Sequence, residues 1–216
     1  MIEIYLFVNP IGERCLSVEK KVLDLIEQQE LKVQLRLIPL MNLYTISDVM
    51  KHQGTCTKNI KARNQLSKDI YSASLDFKAA QLQGKKRGRD FLIRLQEEVG
   101  VNGQRYSKQL AQDLIQEVGG DLEMFIEDRE SEFVSEAFLS DQQIAHEMKI
   151  KCHPSAVIYN YACDLDFGVL VEGCESIEHI AELCQTKEAT LQFFNDHKAQ
   201  ATLNEQKATK RHLYLV

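Results

Sequence analysis

Ile2-Glu3-Ile4-Tyr5-Leu6-Phe7-Val8-Asn9-Pro10-Ile11-Gly12-Glu13-Arg14-Cys15 is the stretch on which the fold turns. Ile2 to Val8 is short, apolar and closed by Asn-Pro, which predicts a buried strand rather than a helix. Directly behind it, from Cys15 to Gln29, Leu16, Val18, Val22, Leu23, Leu25 and Ile26 recur at helical spacing, with Glu19, Lys20, Lys21 and Glu27 on the other side. A strand that runs straight into a helix places Gly12-x-x-Cys15 at the helix start, where unpaired N–H groups and the positive dipole end stabilise a thiolate. The spacing is that of a C-x-x-C pair with its first sulfur missing. Thiol-disulfide exchange needs an attacking thiolate and normally a second thiol to resolve the mixed disulfide. Gly12 has no sulfur, so the ordinary dithiol cycle is excluded at this site.

Outward from this point, Val33, Leu35 and Leu37 alternate with Gln34 and Arg36, predicting a second strand over Val33 to Ile38 that Pro39 stops. Strand, helix, strand is the start of a parallel βαβ unit. Met41 to Gly54 reads as a loop. From about Lys58 to Ile150 only helical patterns occur, clearest over Asp69–Gln83, Arg87–Val99, Ser107–Val118, Asp121–Glu130 and Phe133–Met148. Asp121 before Leu122 and Phe125 has the form of an N-cap, and Gly119-Gly120 ends the helix before it. Strand signals return at Ser155–Tyr159 and Gly168–Val171, separated by a turn-like stretch, and a helix over Ile177–Cys184 follows. Beyond Gln185 the sequence turns polar and is expected to hold one more helix and a loose end. The order is β-α-β, helical insertion, β-β-α. Residues 1–42 and 151–185 are expected to join into one α/β domain around an inserted helical subdomain, 43–150, with 186–216 as a tail.

The composition narrows the function classes. A chain of 216 residues with 44% hydrophobic and 27% charged residues is ordinary for a soluble globular protein, and its net charge of -6 argues against a general nucleic-acid binder. Lys85-Lys86-Arg87-Gly88-Arg89 is then read as a solvated helix junction, and Phe193-Phe194 as an anchor docked on the core. No apolar run approaches the ~20 residues that span a bilayer, and the chain starts on a strand without a basic n-region, so a cytoplasmic location is expected. The six cysteines, Cys15, Cys56, Cys152, Cys163, Cys174 and Cys184, would be mostly reduced there. The last four are separated by ten, ten and nine residues, without the paired knuckles of a zinc site. Neither a metal nor another cofactor is expected.

The strand ending in Phe7-Val8-Asn9-Pro10, the helix start at Cys15, the helical insertion and His153-Pro154 before a strand together resemble the DsbA-like branch of the thioredoxin superfamily. Within it, Ile2 to Pro10, Phe77-Lys78-Ala79-Ala80-Gln81-Leu82-Gln83-Gly84-Lys85-Lys86 and Gln142 to Met148 are most similar to the SpxH (YjbH) proteins of Gram-positive bacteria, over roughly Ile2 to Cys184. The resemblance implies a thioredoxin-like α/β fold with a helical insertion. It also implies a cytoplasmic adapter that hands the transcription regulator Spx to the ClpXP protease, a role with protein partners and with neither nucleic acid nor membrane. The family pattern has cysteine where this chain has Gly12, and the family continues into a further C-terminal region.

In thioredoxin-like folds the pair that faces the active-site helix ends in a cis-proline, and the backbone before it hydrogen-bonds an extended peptide as an added strand. The resemblance puts His153-Pro154 at that place, with His153 either a plain loop residue or part of the peptide groove. Gly12 and Arg14 would then be partner-binding with His153 and Pro154, and Cys15 a vestigial redox thiol. Cys15 also reads as a small buried hydrophobe, and the bare helix start at Gly12 to Arg14 as an anion site. Two enzyme readings stay open beside the binding module: a thiol-disulfide oxidoreductase working through Cys15, and a glutathione-using transferase. The second needs a hydroxyl or thiol at the helix start, where Gly12 offers none and Ser17 lies a turn further in.

Overall fold

The computed structural model describes residues 1–28, 32–161, 168–173, 180–181 and 183–184, together with the backbone of 213–215. The chain divides into two compact units: Met1–Phe7, Ser17–Leu37 and Pro154–Val216 form one, Val8–Leu16 and Ile38–His153 the other.

The first unit is built on a sheet of β1 (Ile2–Val8), β2 (Val33–Pro39), β3 (Ser155–Asn160), β4 (Val169–Glu172) and β5 (Leu213–Leu215), in the order β2-β1-β3-β4-β5. β1 pairs antiparallel with β3, from Ile2 opposite Asn160 to Phe7 opposite Ser155, and β3–β4 and β4–β5 are antiparallel too. β2 runs parallel to β1: Ile2 N–H donates to Lys32 O at 3.3 Å and Leu40 N–H to Val8 O at 2.8 Å, so the strands start together and end together. The crossover between them is α1 (Glu13–Gln28), as the βαβ reading requires. The sheet is therefore mixed.

Ile4, Leu6, Phe7 and Val8 are fully buried, which is why β1 reads as a continuous apolar run rather than an alternating one. Glu3 breaks that run and is nonetheless buried. Arg36 Nε meets its carboxylate at 2.9 Å, Tyr161 donates to it at 3.2 Å, and the Arg36 guanidinium lies 5.2 Å from the centre of the Tyr5 ring. A buried acid is tolerated where cation and hydroxyl replace the water it gives up.

Three expectations for these strands need correction. Pro39 belongs to β2 instead of stopping it, which an edge strand permits because proline's missing N–H removes no bond from the ladder's interior. β4 begins at Val169 rather than Gly168, where a β-carbon would fall 2.7 Å from Tyr159 and Val157 side-chain atoms. Leu213–Leu215, inside the expected tail, forms β5. Of the expected helix Ile177–Cys184, residues 180, 181 and 183 are helical; its other residues except 184, the remaining tail and Phe193-Phe194 lie outside the described residues.

The second unit holds α2 (Leu43–His52), α3 (Ile60–Leu82), α4 (Lys85–Leu95), a π-helical turn (Gln96–Val101), α5 (Lys108–Glu117), α6 (Leu122–Glu130) and α7 (Glu132–Glu147), with no strand between residues 58 and 150. α3 is the hub and packs on α4, α6 and α7. Asp76 on α3 is buried and shared: Arg129 Nε meets one carboxylate oxygen at 2.7 Å, the Tyr106 hydroxyl donates to the other, and Arg129 also donates to Ser72 Oγ at 2.6 Å. Burial raises the Asp76 pKa against the opposing pull of Tyr106 and Arg129.

Here too the helices depart from the sequence reading. Met41 to Gly54 is not a loop, because Asn42 and Thr45 form a reciprocal capping box, Thr45 N–H to Asn42 Oδ1 at 2.9 Å and Asn42 N–H to Thr45 Oγ1 at 3.0 Å, that starts α2. α3 begins at Ile60 rather than Asp69, capped by Asn59 Oδ1 accepting from Ala62 N–H at 3.2 Å. Its first turns carry Lys61, Arg63, Asn64, Gln65 and Lys68, so the apolar period becomes visible only later. α4 ends at Leu95, and the rest of the expected run to Val99 belongs to the π turn. α5 to α7 lie within a residue or two of expectation, with Ser107, Asp121 and Ser131 as side-chain caps.

Candidate functional site

Gly12, Arg14, Cys15 and His153 all belong to the second unit. Two chain stops bring them together. The first is the loop between β1 and α1, where Asn9 makes a local turn: its Oδ1 accepts from Ile11 N–H at 3.1 Å and its carbonyl from Gly12 N–H at 3.1 Å. Gly12 O then accepts from Leu16 N–H at 3.2 Å, the first helical bond of α1. The second stop ends α7. Lys149 takes a left-handed conformation, φ 57°, and Ile150 N–H donates back to Ala145 O at 2.9 Å. Asn42 Nδ2 holds Lys151 O at 3.1 Å, so the capping residue of α2 also fixes the approach to His153.

At the centre lies Cys15, fully buried. Its Sγ accepts the Asn9 backbone N–H at 3.1 Å and stands 3.5 Å from His153 Nδ1. Burial pushes the pKa of His153 down from 6.5 to about 4, a larger effect than the Asp48 carboxylate, which favours the charged form, or the Arg14 guanidinium, which opposes it. The imidazole is therefore neutral at physiological pH, and a neutral ring beside a sealed sulfur gives none of the cationic stabilisation that makes a reactive thiolate. His153 Nε2 and the amide Nδ2 of the buried Asn9 have no hydrogen-bond partner among the described residues. A β-carbon at Gly12 would fall 3.1 Å from Asn9 Cβ and 3.4 Å from its Nδ2, so the Asn9 side chain stands against the position where the missing cysteine would branch.

Around this centre the surface is polar. Arg14 Nη1 lies 3.3 Å from Asp48 Oδ2 and 3.1 Å from His52 Nε2, and all three side chains are about half exposed, so the pair contributes little to stability. Asp48, His52, Asn9 and, from the π turn, Gln96 are site neighbours that periodicity did not single out; the Asn-Pro dipeptide marked the Asn9 turn but not its bonds. Pro154 belongs to the first unit, where its carbonyl accepts from Gly173 N–H at 2.9 Å and the residue lines a small apolar recess with Leu6, Val18, Val171 and Ile180. Cys56 is exposed, Cys184 is buried, and Cys163 and Cys174 lie outside the described residues. Among the described residues no helix is long and apolar enough to cross a membrane.

Comparison with known proteins agrees with this architecture. The chain is 28% identical over 198 residues to the ClpXP adapter protein SpxH of Bacillus subtilis, an alignment that covers 84% of this chain and 66% of the relative, just under two thirds of its length. Among solved structures, BdbD from Bacillus subtilis superposes with a TM-score of 0.61 at 14% identity over 85% of each chain. The oxidoreductase DsbA from Xylella fastidiosa gives 0.56 at 13% identity over 83% of this chain and 81% of that one. The fold is thus DsbA-like. The thioredoxin family model matches residues 5–182, and the chain belongs to that family.

Proposed function

We propose that the chain is a redox-inactive, cytoplasmic binding module that delivers a Spx-type transcription regulator to ClpXP. The observation that carries this reading is the state of the C-x-x-C position. Gly12 stands where the nucleophile would be, and the surviving Cys15 is fully buried, hydrogen-bonded and beside a neutral His153. A site in that state has no attacking thiolate to offer, which leaves binding rather than thiol exchange as the use of the fold around it. Similarity to SpxH along 84% of the chain supports the choice of partners. Within this reading the partner contacts Gly12, Arg14 and His153, and the neighbouring Pro154, whose peptide bond we take as cis.

The test is reconstituted degradation. Purified chain added to ClpXP and a Spx-type regulator should speed loss of the regulator, and no acceleration together with no binding of regulator or protease would overturn the adapter role. The redox half is tested separately by insulin reduction and by redox titration against glutathione. The unaltered chain should show no dithiol activity. Gly12→Cys should form a bond to Cys15 that mass spectrometry locates, because the Asn9 side chain opposite need give only a few tenths of an ångström. Robust dithiol turnover, or glutathione conjugation, by the unaltered chain would instead favour an enzyme.

A further inference from the structure

The π turn Gln96–Val101 has no place in either the peptide-groove or the thiol reading, yet it touches the centre of the site. A π turn holds one residue more than the α-helix around it, a cost that proteins seldom retain without use. Here Asn102 N–H closes on Glu97 O at 2.8 Å, and the turn presents two groups to the loop that carries Cys15. Gln96 is fully buried, and its Nε2 donates to the Asn9 carbonyl at 3.0 Å. Asn9 is the same residue whose backbone N–H bonds Cys15 Sγ. At Gly100 the backbone lies against the start of α1: a β-carbon there would fall 2.7 Å from Glu13 N, 3.2 Å from Glu13 Cα and 3.2 Å from the Gly12 carbonyl carbon. All three are backbone atoms, so no side-chain rotation relieves the clash. The turn is clamped from its other side by Arg94, whose guanidinium meets Glu97 at 2.5 Å, Glu98 at 3.4 Å and, on α5, Glu117 at 2.9 Å.

We infer that Gln96 and Gly100 are positioning residues: the π turn presses the Asn9–Cys15 loop onto its own helix start and keeps the Cys15 sulfur sealed. Gln96 fixes Asn9 from the carbonyl side, Asn9 fixes the sulfur through its N–H, and Gly100 allows the turn to sit directly on the first residues of α1. Neither side chain itself meets the sulfur, and the Cys15 readout does not depend on whether Gly12, against which Gly100 lies, meets a partner. The seal is thus separate from the adapter reading and stands or falls without it.

The experiment is native-state alkylation of the full chain with iodoacetamide, read by mass spectrometry at each cysteine. Exposed Cys56 serves as the reactive reference, and buried Cys184, in the other unit, reports global opening. In the unaltered chain Cys15 and Cys184 should both be protected relative to Cys56. Gln96→Leu, which keeps the bulk and removes the donor to Asn9, should raise the Cys15 rate by tenfold or more with Cys184 unchanged, and Gly100→Ala should do the same by displacing the turn. Equal rises at Cys15 and Cys184 would mean general destabilisation and would overturn the assignment. So would folded variants, judged by circular dichroism, in which Cys15 stays as protected as before.

Discussion

His153 offers a quantitative test of the buried centre. Its pKa is lowered from 6.5 to about 4 because burial penalises the imidazolium. The neutral ring is the form the native state prefers, so the unfolded chain binds the extra proton as pH falls. The stability that the neutral histidine contributes is present above the unfolded pKa and is lost as pH drops from 6.5 toward 4. At pH 5 the unfolded histidine is almost wholly protonated and the native one only about a tenth, which favours unfolding about thirtyfold, or ~2 kcal/mol. With a urea slope of about 2 kcal/mol/M, the midpoint should fall by ~1 M between pH 7.5 and pH 5 on this group's account. The assay is urea unfolding of the unaltered chain and of His153→Gln at both pH values. His153→Gln starts less stable, having lost the contact with Cys15, and should show a pH loss smaller by that amount. Parallel losses in the two proteins would mean that His153 is solvated or already charged in the native state, and the account of Cys15 as a thiol beside a neutral ring would fail.

Two further substitutions test the scaffold. Gly88→Ala should destabilise the second unit by about 1–3 kcal/mol, because its β-carbon would fall 2.7 Å from Gln81 Cγ and 2.8 Å from Gln81 Cα where α4 crosses α3; thermal unfolding followed by circular dichroism checks it, and an unchanged Tm would contradict the close crossing. Lys149→Gly should stabilise by about 1 kcal/mol, since the left-handed φ of 57° penalises a residue with a β-carbon and suits glycine; a lower Tm would show that the Lys149 side chain outweighs the backbone cost.

Much of the fold was legible because its elements announce themselves through period and punctuation. β1 is apolar on both faces and ends at Asn-Pro; α5, α6 and α7 each begin at a serine or aspartate that caps them in the structure. What escaped was structure held by contacts rather than by period. α2 rests on the Asn42–Thr45 box, a four-residue signal inside an apparently irregular stretch. The first turns of α3 are polar nearly all round and hold no apolar stripe to read. β5 is three residues long and gains its identity only by pairing with β4. The π turn has no sequence period of its own; its residues up to Val99 read as the continuation of the helix that starts near Arg87, until Arg94 and Asn9 are seen bonded to them.

The site divides along the same line. Gly12 and Cys15 lie one helical turn apart, so local spacing alone places them at a helix start. His153 reaches Cys15 across 138 positions of sequence, and only the assumed fold could pair them. Gln96 reaches Asn9 across 87, with no motif in either neighbourhood to suggest it. Such long-range bonds decide chemistry more than the motif does. A cysteine at the start of a helix is ordinarily the setting for an activated thiol, because the dipole and the unpaired N–H groups favour the thiolate. Here the same position is occupied by a sulfur that is fully buried, accepts a backbone N–H and faces a neutral imidazole. The sequence pattern thus points toward redox chemistry with one part missing, whereas the packing shows that the remaining part has been drawn into the core. Restoring the sulfur at position 12 returns the motif, and the bond to Cys15 then forms against the hold that Asn9, Gln96 and Gly100 keep on the loop.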